Sequence, residues 1–148
     1  MDPSLASLPV DALMRRHFIC VSPDDSTLEV ERLMQFARLR RLLVVHDGVL
    51  VGVLSYRSLA LALLHRATRP PDPADGGEEL PVSALMEPVT ETVAPDTQST
   101  AAVRQLCLEG GGCLPVVEAS ERGPRLVGLV TESHLLAAAF GRSLPQTF

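Results

Sequence analysis

Two hydroxyl residues stand in the same setting. Ser55 closes the run Val51-Gly52-Val53-Leu54-Ser55 and Thr131 closes Val127-Gly128-Leu129-Val130-Thr131, each where a strand-like run passes into a Leu- and Ala-rich helical one. A hydroxyl at such a junction caps the helix, and the free N–H groups of the same helix end suit an anion; both roles are open. Just before Leu42 come Arg40 and Arg41, whose forked guanidinium groups fit phosphate oxygens. Together with Arg38 they equally suit the solvated C-terminal end of a helix, where each cation contributes about 0.3–1 kcal/mol. His17, His46 and His65 show no metal-ligand spacing with cysteines or carboxylates. No Ser-His-Asp context or strained nucleophile turn is present either, so the expectation is a protein without catalytic or metal-binding residues.

These candidates belong to a sequence that occurs twice. Val10-Asp11-Ala12-Leu13-Met14 returns as Val82-Ser83-Ala84-Leu85-Met86, and Val21-Ser22-Pro23-Asp24-Asp25 returns as Val93-Ala94-Pro95-Asp96-Thr97, both 72 residues on. Leu42-Leu43-Val44-Val45 meets Leu114-Pro115-Val116-Val117 at the same offset, whereas Ser55 meets Thr131 at 76. The four added residues are assigned to one surface turn, where an insertion leaves a core untouched. The expected organisation is a first repeat at 1–68, a linker at 69–80 and a second repeat at 81–148. Arg40-Arg41 is replaced by Gly112-Cys113 in the second copy, so the two copies are expected to offer unequal sites.

Each repeat must position its hydroxyl with the same elements. A short helical turn opens it, Pro9 to Arg16 or Pro81 to Met86, with proline suited to the first helical position. A brief strand is expected at Phe18 to Val21 and at Thr90 to Val93. Ser26 and Glu29 have capping-box spacing, and Val30, Leu33, Met34 and Ala37 form an apolar stripe that runs to about Leu39. In the second copy Thr97 is the expected cap, Ala102, Val103, Leu106 and Cys107 the stripe, and Gly110-Gly111-Gly112 the stop. Two strands follow, Leu42 to His46 and Val49 to Ser55, joined at Asp47-Gly48. The second copy lengthens that turn through Ala119 to Pro124. Closing helices are expected at Tyr56 to His65 and Glu132 to Phe140. Between the copies, Arg69 to Glu79 is too polar and proline-rich to bury apolar area and reads as a linker.

Composition limits the partners. A chain of 148 residues with 46% hydrophobic and 3% aromatic residues and no Trp builds its core from Leu, Val, Ala and Met, and each repeat alone buries little surface. It lacks the aromatic platform used to stack nucleic-acid bases. A net charge of −5 opposes attraction to nucleic acid or an anionic membrane surface. All 13 basic residues are Arg, which suits bidentate anion contacts and also follows from codon bias. No apolar run has the length of a membrane span, and the start Met1-Asp2-Pro3 lacks signal-peptide features, so a cytoplasmic location is expected. Cys20, Cys107 and Cys113 are odd in number and lack C-x-x-C spacing, which points to buried free thiols.

The ordered run Leu-Met, Val-x-Pro-Asp, amphipathic helix, Leu-Pro-Val-Val, Gly-x-Val-Thr and closing helix, present twice in register, resembles the CBS domain from Val10 to about Phe140. The resemblance implies an α+β fold: two β-α-β-β-α repeats packed about a pseudo-twofold axis, a tandem pair or Bateman module, with clefts between the repeats. It implies AMP, ADP, ATP or S-adenosylmethionine as regulatory ligand, no required cofactor, and a homodimer. The two copies and their linker account for the chain, so its output is expected to pass through an unknown partner protein.

The family's ribose-binding aspartate, in Gly-x-x-Thr-x-x-Asp, falls on Ser58 in Gly52-Val53-Leu54-Ser55-Tyr56-Arg57-Ser58 and on His134 in Gly128-Leu129-Val130-Thr131-Glu132-Ser133-His134. Both copies depart from it. Serine keeps one hydroxyl, and histidine keeps one acceptor or becomes a cation suited to phosphate. Loss of a charged hydrogen bond removes about 1.5–3 kcal/mol. Carried over residue by residue, the resemblance gives Arg40, Arg41, Ser55, Arg57, Ser58, Thr92, Thr131, Ser133 and His134 as the ligand set. Arg40 and Arg41 match basic residues that reach nucleotide phosphates in relatives such as the gamma subunit of AMP-activated protein kinase. Phe18, Ile19, Cys20, Thr90 and Thr92 fall on the strand that lines the adenine pocket, though burial in the core explains their apolar members as well. Two readings compete: a regulatory module that senses an adenine nucleotide in an interrepeat cleft, and a ligand-free dimerisation scaffold in which both lost aspartates mark lost binding.

Overall fold

The structure, a computed structural model, describes residues 8–69, 80–109 and 112–139, without side-chain detail at 109 and 136–139. Its elements are β1 (Cys20–Val21), α1 (Thr27–Ala37), β2 (Arg41–His46), β3 (Val49–Ser55), α2 (Tyr56–Thr68), α3 (Ser99–Glu109), β4 (Cys113–Ser120), β5 (Gly123–Thr131) and α4 (Glu132–Ala139). Short 3-10 turns at Val10–Ala12 and Val82–Ala84 precede the two series. This is a mixed α+β architecture.

The compact units cross the sequence repeats. One unit is Ile19–Val89, and the other combines Met1–Phe18 with Thr90–Phe148. Each takes its opening 3-10 turn from the other repeat. In the contiguous unit Thr27 N donates to Leu80 O, Val82 N to Asp25 O and Ser83 N to Pro23 O. In the composite unit Ser99 N donates to Leu8 O, Val10 N to Thr97 O and Asp11 N to Pro95 O, the same three bonds in the same register. Val82 and Val10 are thereby fully buried, each in the core of the unit that receives it. Full burial of such a side chain contributes about 1.5–3 kcal/mol, which fixes the segment in place.

In the contiguous unit β1 pairs parallel to β2, and β2 pairs antiparallel to β3 through the Asp47-Gly48 turn. Both turn residues have positive φ, 49° and 80°, as a two-residue hairpin requires. Helix α1 buries Val30 and Met34, with Leu33 packed beside them, and joins Leu42, Val44, Leu54 and Leu59 in one core. The helix ends at Arg38, whose φ of 55° lets Leu39 N donate to Met34 O at 2.9 Å.

In the composite unit β4 and β5 form a hairpin, and Leu114, Val116 and Val130 pack with Ala102, Leu106 and Leu135. Matching bulges at Val44/Val45 and Val116/Val117 repeat the same kink in both hairpins.

Several local expectations are corrected. The strand expected at Thr90 to Val93 shrinks to one bridge, Val93 to Val116, because Val93 alone supplies the pairing groups. The four added residues do not make a long loop: pairing continues to Ser120↔Gly123, so they extend both strands around a two-residue turn. Thr97 does not cap α3; its Oγ1 accepts from Ala94 N at 3.1 Å, as Asp25 Oδ2 accepts from Ser22 N at 2.8 Å. Ser26 is the N-cap of α1 but makes no side-chain cap bond; its backbone bridges Pro81, and the Thr27 amide donates to Leu80 O. Val103 and Cys107 lie off the buried face of α3, and Cys20 points outward from β1; only Cys113 is half-buried. The expectation of buried thiols fails because the sheet and helix faces are already filled by Val21, Ala102 and Leu106. The linker expected at 69–80 lies mostly outside the described residues, as do Gly110, Gly111 and Phe140.

Candidate functional site

The two hydroxyls first singled out occupy equivalent corners, each where the second strand of a hairpin turns into the closing helix. In the contiguous unit Ser55 caps α2 and its Oγ accepts from Ser58 N at 3.1 Å. The Ser55 hydroxyl also donates to Ser58 Oγ at 2.9 Å, and Ser58 Oγ donates to Glu87 Oε1 at 2.8 Å. Glu87 reaches this corner because its backbone pairs with Val53, at 2.8 Å from its own N to Val53 O and 2.9 Å in return.

The basic residues gather at the same corner. Arg41 is the cross-strand partner of Ser55. Tyr56 N donates to Arg40 O at 2.7 Å, which holds Arg40 beside the start of α2. Arg57 is exposed in the first turn of α2. None of the three forms an ion pair among the described residues. The register therefore brings Arg40, Arg41, Ser55, Arg57 and Ser58 to one end of one hairpin. Cationic side chains that are exposed and unneutralised can meet an anionic ligand at little desolvation cost.

In the composite unit Thr131 Oγ1 accepts from His134 N at 3.1 Å, the same cap as in the other corner. Glu132 N donates to Gly112 O at 3.3 Å, where the first corner has Tyr56 and Arg40. Ser133 is exposed. Thr92 is also exposed, beside the Val93 bridge to β4, and no hydrogen bond joins it to Thr131 or His134 among the described residues.

Two residues at these corners were missed from the sequence. Glu87 and Arg15 are equivalent in the repeat, each following Leu-Met. Arg15 N donates to Leu129 O at 2.8 Å and Leu129 N to Arg15 O at 2.9 Å, as Glu87 does with Val53. Arg15 is 8% exposed, and its Nε and Nη2 are buried with no hydrogen-bond partner among the described residues. His134 Nδ1 is buried and unpartnered as well. Desolvation, then repulsion from Arg15, pushes the His134 imidazole below its ordinary value of 6.5. The signal that could have revealed the pair was the repeat itself, extended one residue beyond Leu-Met.

The close crossing of these segments explains the glycines before each hydroxyl. A Cβ on Gly52 would lie 2.9 Å from Met86 Sδ and 3.1 Å from Glu87 O. One on Gly128 would collide with Met14 and lie 3.1 Å from Arg15 O. Among the described residues no group of three or more His, Cys, Asp or Glu side chains could hold a metal ion. No described helix is long and apolar enough to cross a membrane.

Comparison with known proteins agrees with this architecture. The family model of the CBS domain matches residues 10–65 and 82–141. No curated protein matches. Among solved structures, CBSX2 in complex with AMP is 28% identical with a TM-score of 0.72, over 90% of this chain and 96% of that one. CBSX2 from Arabidopsis thaliana, at 25% identity and TM-score 0.72, covers 91% of this chain and 96% of its own. The cytosolic domain of the Mg2+ channel MgtE in complex with ATP is 29% identical with a TM-score of 0.65, over 88% of this chain and 48% of that one. The duplicated strand-to-helix corner, the exchanged opening turns and the two matched segments lead to one conclusion: the chain belongs to the CBS-domain family, as a tandem pair.

Proposed function

We propose that this chain is a regulatory module that binds an adenine nucleotide and passes the result to a partner protein. The observation that carries this reading is the corner of the contiguous unit, where the backbone brings Arg40, Arg41 and Arg57 to the same hairpin end as Ser55 and Ser58, and no described carboxylate forms an ion pair with these arginines. The arginines hold phosphate oxygens, and Ser55 and Ser58 meet the sugar or phosphate. Thr131, Ser133, His134 and Thr92 are the corresponding candidates in the second repeat. Support comes from CBSX2, solved with AMP, and from the MgtE cytosolic domain, solved with ATP. Regulation follows from differential affinity: a nucleotide shifts the protein toward whichever arrangement binds it better, and by no more than that difference.

The test is thermal unfolding of the full chain against AMP, ADP, ATP and S-adenosylmethionine. A ligand of the native state stabilises by RT ln(1 + [L]/Kd), about 2.7 kcal/mol at a hundredfold excess over Kd. A saturable rise supports the sensor, and no rise at millimolar nucleotide removes it.

One observation favours a second reading, a homodimerisation scaffold. On α2, Leu61 and Leu64 are 57% and 62% exposed, and Phe36 on α1 is 86% exposed. Leu61 and Leu64, three residues apart, share one face of α2, and apolar side chains clustered on one exposed face mark surfaces that pair. The scaffold predicts a dimer by light scattering that is indifferent to nucleotides, whereas the sensor tolerates a dimer but requires the nucleotide response.

A further inference from the structure

A buried arginine with nothing to bind is an expensive arrangement. A guanidinium removed from water loses its hydration, and removal is tolerated when hydrogen bonds and counter-charge replace it. Arg15 satisfies neither condition: it is nine-tenths buried, and no described carboxylate or carbonyl meets Nε or Nη2. Those two nitrogens share one edge of the guanidinium, the edge whose parallel N–H bonds grip two oxygens of one anion. His134 supplies the next group, since its Nδ1 is also buried and has no hydrogen-bond partner among the described residues. Thr131 lies beside it, with Oγ1 accepting from His134 N and its own hydroxyl hydrogen left to donate.

The equivalent corner shows what fills this space when a carboxylate stands in place of the arginine. There Glu87 replaces Arg15, Ser58 replaces His134, and the two close on each other at 2.8 Å. A satisfied carboxylate-hydroxyl pair in the contiguous unit has as its counterpart in the composite unit an unsatisfied guanidinium-imidazole pair. A neutral imidazole with its proton on Nε2 could accept at Nδ1 from the guanidinium, but no such bond forms here, and once the ring is charged both groups donate and their charges repel.

We propose that Arg15, His134 and Thr131 form a site for a phosphate-type oxyanion, with two oxygens on the Arg15 fork and a third held by His134 Nδ1–H and the Thr131 hydroxyl. The anion supplies the counter-charge that no described residue gives the cluster. Its source is either free phosphate or the phosphoryl group of a nucleotide, and in the second case the inference rests on the nucleotide-sensing reading above. A nucleotide held this way would bind the second repeat by its phosphate, at the position where the family sequence pattern puts a carboxylate.

The experiment is NMR of the His134 imidazole in the full chain, assigned against His134→Gln, during titration with inorganic phosphate at constant ionic strength set by chloride. The expected result is a saturable shift of the His134 resonance and a rise in its pKa, because a bound anion favours the charged ring. Arg15→Met is expected to weaken phosphate about tenfold or more, the loss of a charge-assisted pair. An absent or non-saturating shift in the wild-type chain overturns the site, as does an unchanged shift in folded Arg15→Met; the wild-type titration decides alone if that variant does not fold. AMP and adenosine serve as further arms. If AMP moves His134 and adenosine does not, the nucleotide phosphate occupies the site. If AMP binds without moving His134 and phosphate does not move it either, the nucleotide reading stands and this site falls. If phosphate moves His134 and AMP does not bind at all, the site stands and the nucleotide reading falls.

Discussion

Ser58 Oγ donates to Glu87 Oε1 at 2.8 Å, so the residue at the family's aspartate position already has a carboxylate of its own, brought by a segment 29 residues away. The corner therefore holds a carboxylate that another part of the chain supplies. Ser58→Asp alone would set two carboxylates in contact and raise the pKa of one of them. Combined with Glu87→Gln, the same substitution places one charged acceptor at the start of α2. We expect the double variant to bind AMP about tenfold more tightly than wild type, and the single Ser58→Asp variant to gain less. Calorimetry of the three proteins measures this; a double variant no tighter than the single one defeats the argument.

Gly52 and Gly128 are predicted to be intolerant of alanine. The neighbours of an added Cβ include the Glu87 carbonyl at 3.1 Å and the Arg15 carbonyl at 3.1 Å, backbone atoms that hold the exchanged segments to β3 and β5. Met86 and Met14 can turn aside, but the carbonyls cannot move without stretching the paired hydrogen bonds. Gly52→Ala and Gly128→Ala should each cost about 1–3 kcal/mol, the usual range for overpacking. Urea denaturation provides the value. Rescue of Gly52→Ala by Met86→Ala would mean that sulfur, and not the backbone, sets the limit.

What the sequence made legible was local. The hydroxyl caps at Ser55 and Thr131, the Asp47-Gly48 hairpin and the Val30-Met34 face of α1 each depend on a few neighbouring residues and were readable from their spacing. Arg15 and Glu87 were not, because their significance arises from pairing with Leu129 and Val53, far along the chain. Cys107 misled for a related reason: helical periodicity gives a stripe, but the breadth of the buried face depends on what packs against it, and on α3 that face ends at Leu106. The strand expected at Thr90 to Val93 needed partners along its length, and only Val93 has them.

Exchange of the opening turns makes a prediction that the sequence repeats alone would reverse. Val10 is fully buried with Val93, Leu106 and Val116, and Val82 with Val21, Val30 and Val44. Val10→Ala should therefore weaken the unit containing the second repeat, and Val82→Ala the unit containing the first. Each substitution should cost on the order of 1–3 kcal/mol. Amide hydrogen exchange resolves the two: Val10→Ala is expected to speed exchange in β4 and β5, and Val82→Ala in β2 and β3. The opposite pattern would show that each turn stabilises its own repeat.

His134 gives the stability of the protein a pH dependence of known sign. Its folded-state pKa lies below 6.5, through desolvation first and repulsion from Arg15 second. Above the unfolded value of about 6.5 the ring is neutral in both states, and its contribution to stability is fully present. As the pH falls through that value toward the folded pKa, the unfolded chain takes up the proton first, so stability declines. His134→Gln, which cannot be protonated, should flatten the stability profile of the chain between about pH 7 and pH 5 relative to wild type. Inorganic phosphate should flatten it too in the wild-type chain, since an anion at Arg15 raises the folded-state pKa back toward the unfolded one. Chemical denaturation across that range, with phosphate or chloride at matched ionic strength, measures both effects. A wild-type slope equal to that of His134→Gln would mean that the folded protein leaves this imidazole as free to ionise as the unfolded chain does.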